Sequence, residues 1–92
     1  MSVEVRLPTL LRPHVGGNSS LEVEGNTVGQ VIDQMVSIYP DLEGQIITPN
    51  GDLHKFINIY LNDDDIRYLD KLDTKLNAGD TISILPAVAG GL

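Results

Sequence analysis

The sequence contains no cysteine. This absence excludes a disulfide framework, cysteine ligands for zinc and thiol catalysis by this chain, and it agrees with a reducing cytosol. No apolar run approaches the roughly 20 residues that a membrane span needs. The first residues, MSVEVRLPT, lack the basic and then apolar segments of a signal peptide. We therefore expect a cytoplasmic protein that has no contact with a membrane.

Basic residues are also scarce. Six lysines and arginines stand against 13 aspartates and glutamates, so the formal net charge of the 92-residue chain is −7. A protein that binds nucleic acid needs a basic face to neutralise phosphates, and this composition therefore disfavours that class. An acidic domain is better suited to a protein partner with a basic docking groove. The length predicts one small domain.

Two strands are predicted at the beginning of the chain. Val3, Val5 and Leu7 alternate with polar residues, and the segment LEVE places Leu21 and Val23 on one side. Such alternation is typical of a half-buried strand. The stretch LRPHVGGNSS between them is rich in turn residues and predicts a loop. The two strands are thus expected to form an opening hairpin.

The clearest predicted element is a helix that begins after Thr27. Thr27 and Gln30 form the pattern of a capping box. Apolar residues then recur at helical spacing up to Tyr39, and Pro40 ends the helix because a proline disfavours the helical conformation of the preceding residue. Gly29, in the first turn, is expected to allow close packing against a strand.

The second half of the chain predicts further strands. KFINIYL indicates a strand with Ile57, Ile59 and Leu61 inward. NDDDIRYL predicts a turn and a short edge strand, and TISIL predicts a last strand that Pro86 ends. DLEGQII suggests a short helical turn, and TPNGD a tight turn. The order β-β-α-β-β-β predicts an α+β fold with one main helix on one face of a mixed sheet, whose first and last strands are adjacent and parallel.

No catalytic or metal site is predicted. His14 and His54 are far apart and lack further ligands at metal-site spacing, so exposed structural roles are expected. The run 63–65 lacks the alternate carboxylates, glycine and distal glutamate of a calcium loop. Asp33 and Glu43 form no evident acid/base pair, and no phosphate-binding glycine motif occurs.

The tail after Pro86 is the remaining candidate. Ala87, Val88, Ala89, Gly90 and Gly91 are small, and Leu92 follows them. The interpretation that needs no function is a frayed chain terminus. A tail without bulky side chains is also thin enough to enter a narrow channel, and glycine lets the backbone approach a ligand closely. We predict a folded domain over 1–86 and a flexible tail over 87–92.

Taken together, these segments resemble a known family. The predicted fold and the stretches PTLLRPHVGG, HKFINIYLNDDDIR and LNAGDTISILPAVAGG resemble the ubiquitin-like sulfur carriers with a β-grasp fold. This group includes the small subunit of molybdopterin synthase and the thiamin sulfur carrier. The resemblance covers essentially the whole chain, and it is strongest to the CysO-type carriers of cysteine biosynthesis.

The resemblance implies a carrier that is not itself an enzyme and binds no cofactor. An adenylyltransferase similar to ubiquitin-activating enzymes would use ATP to activate the carboxylate of Gly91, and sulfur would then replace AMP to give a thiocarboxylate. A PLP-dependent cysteine synthase would accept the sulfur, and a zinc metalloprotease would release the carrier. Leu92 departs from this pattern, because the reacting carboxylate must belong to Gly91. We expect Leu92 to be removed; a cloning remnant and a domain that only binds are the alternatives.

Two other functions fit the same residues. The first is the small subunit of molybdopterin synthase, and the second is a ubiquitin-like modifier or a pure interaction domain. In each case a partner has to dock on the folded domain. The strand alternation places Phe56, Tyr60 and Leu85 on the sheet face opposite the helix, and exposed aromatic and aliphatic residues there predict a docking patch.

Overall fold

The computed structural model describes residues 2–87, in which one mixed sheet is covered on one face by a helix. The strands are β1 (Ser2–Arg6), β2 (Ser20–Glu24), β3 (Ile57–Leu61), β4 (Asp64–Asp65) and β5 (Thr81–Pro86), and the helix is α1 (Val28–Ile38). The order across the sheet is β2-β1-β5-β3-β4. β1 and β5 are parallel, and the other neighbours are antiparallel. The predicted order and the parallel pairing of the first and last strands are confirmed.

The core lies between α1 and the inner face of the sheet. The inward residues alternate along each strand as predicted, and side chains on the three central strands are almost inaccessible to solvent: Val3, Val5, Ile57, Ile59, Ile82 and Ile84. Leu21 and Leu61, which were also predicted to face inward, are only partly buried against this core. Since full burial of one such aliphatic side chain is worth about 1.5–3 kcal/mol, these residues supply much of the free energy that holds the sheet to the helix.

Helix α1 begins as predicted and ends one residue earlier. The backbone N–H of Gln30 donates to Oγ1 of Thr27 at 3.2 Å. The side chain of Gln30 accepts from the N–H of Asn26 at 2.9 Å, one residue before the partner that a capping box specifies. The last helical residue is Ile38, and Tyr39 is the C-cap. Pro40 then begins a short 3-10 turn, Pro40–Leu42, in agreement with the predicted turn in this region.

The close contact at Gly29 is with a loop residue, so the expectation of packing against a strand was wrong. A Cβ at position 29 would lie 3.1 Å from the carbonyl oxygen of Leu72. Leu72 belongs to the 3-10 turn Lys71–Asp73. The glycine therefore allows the first turn of α1 to approach the segment that precedes β5.

The prediction of a loop between β1 and β2 is also wrong in part. Residues Thr9–Val15 form a 3-10 helix. Leu11 and Val15 on this helix are completely buried, and Gly16 ends it with a φ of 67°. The turn residues in this stretch indicated an exposed connection, but two apolar side chains spaced four apart provide enough burial to fold the segment back onto the core.

Candidate functional site

The candidate site lies where β5 ends. β5 is in the middle of the sheet, between β1 and β3. Its last residue, Pro86, is paired with Ile57, and the backbone N–H of Ala87 donates to the carbonyl oxygen of Phe56 at 2.8 Å. Backbone pairing therefore extends one residue past Pro86, to the first residue of the predicted tail. The remaining predicted tail residues lie outside the described part of the chain: Val88, Ala89, Gly90, Gly91 and Leu92.

The structure brings the three predicted docking residues to this region, on the face that α1 leaves uncovered. Leu85 is 45% exposed and Phe56 is 50% exposed, while Tyr60 is partly buried. Leu85 is paired with Asn58 across β5 and β3. On one face of an antiparallel pair, the diagonal neighbours of such a residue are two positions away from its partner. For Leu85 these neighbours are Tyr60 and the position of Phe56.

A shallow groove of about 980 Å³ crosses the same face of the sheet. Leu85 and Pro86 line one part of it, and Tyr60 lines another. The 3-10 helix Thr9–Val15 supplies a further wall through Leu10 and Arg12. Leu10 is 52% exposed. The apolar patch at the end of β5 is thus larger than predicted, because Leu10 joins it from a segment that was expected to be a loop.

Phe56 stands beside this groove and does not line it. Its ring lies 5.1 Å from the ring of His54, measured between centroids. The ammonium nitrogen of Lys55 lies 5.6 Å from the centroid of Phe56, within the range of a cation–π contact. Phe56 therefore sits among cationic and imidazole side chains at the point where the chain leaves β5.

Two arginines that sequence reasoning missed also lie at this end of the sheet. Nε of Arg12 donates to the carbonyl oxygen of Leu7 at 3.2 Å. The guanidinium of Arg67 donates to Oδ1 of Asn58 at 2.5 Å and to the carbonyl oxygen of Ile57 at 3.2 Å. Arg12 lies within PTLLRPHVGG and Arg67 within HKFINIYLNDDDIR. Both stretches carried the family resemblance, but only the fold brings them to the same end of the sheet.

The opposite end of this open face has a different character. We call the end of the sheet at which β5 finishes the tail end, and the end at which β5 begins the far end. Glu4 is paired with Thr81 at the start of β5 and directly faces Glu22 on β2. Asp64 is paired with Leu61, the last residue of β3. The far end therefore carries carboxylates, whereas the tail end carries apolar side chains and arginines.

The described residues contain no obvious catalytic or metal centre. No group of three or more histidine or acidic side chains within residues 2–87 is placed to hold a metal ion. His14 and His54 are partly buried and not exposed as expected. His14 lies within the 3-10 helix Thr9–Val15, and Nδ1 of His54 accepts from the N–H of Phe56 at 3.3 Å. Asp33 and Glu43 are exposed. Among these residues no helix has the length and apolarity to cross a lipid bilayer.

The run 63–65 has a structural role in a turn. Its last residue, Asp65, caps the 3-10 turn Ile66–Tyr68 by accepting from the N–H of Arg67 at 2.9 Å. This bond orients the turn that carries Arg67 toward β3. The prediction that the run forms a turn followed by a short edge strand is confirmed by β4.

Comparison with known proteins identifies the family. The model of the ThiS family matches residues 5–91. This chain belongs to the ThiS family. It is a ubiquitin-like sulfur-carrier homologue of the ThiS/MoaD group, and the β-grasp fold that the resemblance implied is confirmed.

Relatives of this ThiS-family chain include sulfur carriers named CysO. It is 45% identical over 93 residues to the sulfur carrier protein CysO of Mycobacterium tuberculosis, covering 99% of this chain and 100% of that protein. The crystal structure of that CysO matches with a TM-score of 0.88 and 43% identity, over 94% of this chain and 99% of the other. A chain of the Amycolatopsis orientalis BexX/CysO complex matches with a TM-score of 0.87 and 44% identity, over 97% and 99%.

Another relative of this chain carries a different name. Small archaeal modifier protein 3 of Haloferax volcanii is 33% identical over 93 residues, covering 99% of this chain and 100% of the modifier. The sequence similarity of this chain thus extends to named sulfur carriers and to a named modifier.

Proposed function

We propose that this chain carries sulfur as a thiocarboxylate on Gly91 for cysteine biosynthesis. The observation that carries the proposal is full-length similarity to CysO sulfur carriers, combined with a central strand whose backbone pairing reaches Ala87 beside a partly apolar patch. The chain contributes a positioned carboxylate and a docking face. Partner enzymes supply the chemistry.

The activation step follows from the low electrophilicity of a carboxylate. A carboxylate oxygen of Gly91 attacks the α-phosphorus of ATP on an adenylyltransferase similar to ubiquitin-activating enzymes, and pyrophosphate leaves. The resulting acyl-adenylate has AMP as a good leaving group. Sulfide attacks the carbonyl carbon and displaces AMP. The carbonyl carbon then bears sulfur in place of one oxygen.

Leu92 has to be removed before this reaction. In the sequence as given, the carbonyl group of Gly91 forms the peptide bond to Leu92, so Gly91 has no free carboxylate. An added residue shifts the reacting carboxylate by up to ~3.6 Å, whereas reaction needs the attacking oxygen within about 3–3.5 Å of its target. The side chain of Leu92 would also enter a channel that fits glycine. We therefore propose that a peptidase cleaves the Gly91–Leu92 bond.

The acceptor steps are inferred from the similarity of this chain to CysO carriers. The thiocarboxylate sulfur bonds to the β-carbon of an O-activated serine held by a PLP-dependent synthase, and the activated oxygen leaves with its substituent. The resulting thioester rearranges to an amide, so that the carrier is joined to the amino group of cysteine. A zinc metalloprotease then hydrolyses that bond and regenerates the carrier. A CysO protein of Amycolatopsis orientalis forms a complex with BexX, which supports the idea that carriers of this type dock on a separate protein.

Docking is assigned to the tail end of the open face. Leu10, Phe56 and Leu85 are each about half exposed there, and such apolar side chains favour a partner that removes them from water. Tyr60 extends the patch along β3. A partner that covers this patch holds the start of the tail, at Ala87, at its own surface, so the residues beyond Ala87 reach into its channel.

Reconstitution with the adenylyltransferase from the same genome tests this proposal. The chain ending at Gly91 is mixed with the enzyme, ATP and a sulfide source, and its intact mass is expected to rise by the difference between sulfur and oxygen. The matched control is the chain ending at Leu92, which is expected to keep its mass. Thiocarboxylation of Leu92 as fast as of Gly91 would rule out the processing step.

The similarity to small archaeal modifier protein 3 supports a second candidate, attachment to other proteins. In that function the activated carbonyl of Gly91 forms an amide with a lysine amine of a target, and AMP leaves. The two functions are separated by the products in cells. A modifier gives conjugates that resist reduction and hydroxylamine, whereas a sulfur carrier gives the free thiocarboxylate.

A further inference from the structure

The cations of this acidic protein are unevenly distributed over the described residues. Six lysines and arginines are present in the whole chain, and three of them lie at the tail end: Arg12, Lys55 and Arg67. Arg6, in the middle of the face, is paired with a carboxylate oxygen of Glu4 at 3.4 Å. A chain with a net charge of −7 thus presents positive charge where its central strand ends.

Arg12 is held on one side of Leu85. The bond from its Nε to the carbonyl oxygen of Leu7 fixes the guanidinium beside the groove that Leu85 and Pro86 line. This bond uses one of the five N–H donors of a guanidinium, so its terminal amino groups keep their donors. Arg12 is partly buried, which limits its movement.

Arg67 is held on the other side of Leu85, along β3. Its guanidinium donates to the side chain of Asn58, the residue directly opposite Leu85, and to the carbonyl oxygen of Ile57. The N-cap bond to Asp65 involves the backbone N–H of Arg67 and leaves its positive charge available. Arg67 is exposed.

Neither guanidinium is paired with a carboxylate within residues 2–87; each is anchored by neutral oxygens. Exposed arginines normally gain little from being fixed in one geometry, because side-chain entropy opposes it. A fixed guanidinium with free donors is suited to bidentate pairing with a carboxylate or a phosphate. Two such groups flank an exposed leucine, which is the arrangement of an apolar contact with a charged rim.

We propose that the enzyme which activates the tail presents carboxylates that pair with Arg12 and Arg67 around an apolar contact at Leu85. This inference rests on the proposed function and extends it by specifying an acidic rim on the partner. It also reverses the expectation from net charge, which favoured a basic groove. The acidic far end then disfavours the reverse orientation of the same partner through repulsion between like charges.

The anion is assigned to protein carboxylates and not to the nucleotide. Gly91 is four residues beyond Ala87, so a fully extended tail separates them by up to about 14 Å. Adenylation takes place at Gly91, whereas both arginines contact the sheet near Ala87. Their positions correspond to the entrance of the tail channel and not to the phosphates.

Binding of the chain ending at Gly91 to its adenylyltransferase, measured by titration calorimetry without ATP, tests the inference. Arg12→Gln and Arg67→Gln together are expected to weaken binding roughly 10- to 100-fold and to flatten the dependence of affinity on NaCl. Arg12→Lys and Arg67→Lys together retain the charge and are expected to recover the salt dependence and part of the affinity. Lys75→Gln, which removes one cation near the start of α1, is the control at a remote site and is expected to change neither quantity.

The outcomes separate the two proposals. Undiminished binding by the double Gln variant, with normal sulfur transfer to the parent chain, overturns the arginine contacts alone. An equal loss in Lys75→Gln also overturns them, because the effect would then be one of net charge. A double Gln variant that binds normally but loses adenylation would assign the arginines to the nucleotide. Salt-sensitive self-association of the parent chain would assign them to a contact with a second copy of this chain. Either result contradicts the inference. If the parent chain ending at Gly91 neither binds nor gains sulfur, the proposed function fails and this inference fails with it.

Discussion

The two ends of the open sheet face are built on the same strands but carry different chemistry. At the tail end, Phe56 and Leu85 are about half exposed, and the arginines are held by neutral oxygens. At the far end, Glu4 directly faces Glu22, and the turn after β3 begins the acidic run 63–65. A net charge of −7 therefore describes the whole chain but not the tail end of its open face. A partner that docks there, as proposed, would meet positive charge around the apolar contact.

Strand topology explains how this separation arises. The parallel pairing of β1 with β5 directs both strands to the tail end. The chain after β1 then folds into the 3-10 helix Thr9–Val15 beside the last residues of β5. On the other side, β3 is antiparallel to β5, so its first residues lie at the tail end and its last residues at the far end. Three segments distant in sequence thereby meet where the tail begins.

The largest effect is expected from a new carboxylate in the centre of the tail-end patch. Leu85→Asp should weaken binding to the adenylyltransferase by at least about 100-fold, because an unpaired charge would be taken out of water at the contact. The fold should survive, since Leu85 is 45% exposed. Calorimetric titration measures the affinity, and thermal unfolding checks the fold.

Ser2→Asp is the matched control for that variant. Ser2 is an exposed residue on β1 whose strand partner is Glu24, at the far end of the sheet. The substitution adds the same charge to the same sheet and is expected to leave the affinity within about twofold. Equal weakening by both variants would show that the two ends are not distinguished by the partner.

Smaller effects are expected from truncating the apolar side chains. Phe56→Ala and Leu85→Ala should each weaken binding by roughly tenfold, as expected for moderate contributors to an interface. Ile38→Ala is the control: Ile38 is 51% exposed, at the end of α1 on the opposite side of the sheet, and its truncation should not affect binding. Full affinity in both tail-end variants would contradict a role of this patch in docking.

The smallest effect concerns stability at the far end. Glu4 and Glu22 are directly opposite on antiparallel strands, and like charges in that position are unfavourable. Glu22→Lys should therefore stabilise the fold by up to about 0.5 kcal/mol, which raises Tm by roughly 2–4 °C in a domain of this size. Glu43→Lys, exposed and remote from the sheet pairing, controls for the change in net charge. An equal gain in both would trace the effect to net charge and not to the pair.

Sequence patterns predicted the backbone of the fold because local periodicity reflects burial. The alternation around Ile57 and Ile59 and the helical spacing after Thr27 each arise from one face of one element, and all were confirmed. The 3-10 helix Thr9–Val15 was missed because it is short and contains turn residues, and its stability depends on burying Leu11 and Val15. No local pattern reports such tertiary burial.

The candidate site was only partly predictable for a related reason. Strand alternation was enough to bring Leu85 near Tyr60. Arg12 and Arg67 were not found, because an arginine in a turn is ordinarily a solvated surface residue and 55 positions separate the two in the sequence. Their proposed role depends on the bonds to Leu7 and Asn58, which only the folded chain makes. The family resemblance covered both segments without assigning either arginine a role.

The intact mass of the protein isolated from its native cells tests the central claim most directly. The account predicts a species that ends at Gly91 and carries one sulfur in place of an oxygen, together with the corresponding unmodified carboxylate. Treatment with an alkylating reagent should label the sulfur-bearing species alone. A population that uniformly retains Leu92 after Gly91, with no sulfur at its end under any sulfur supply, would contradict the assignment of this chain as a working sulfur carrier.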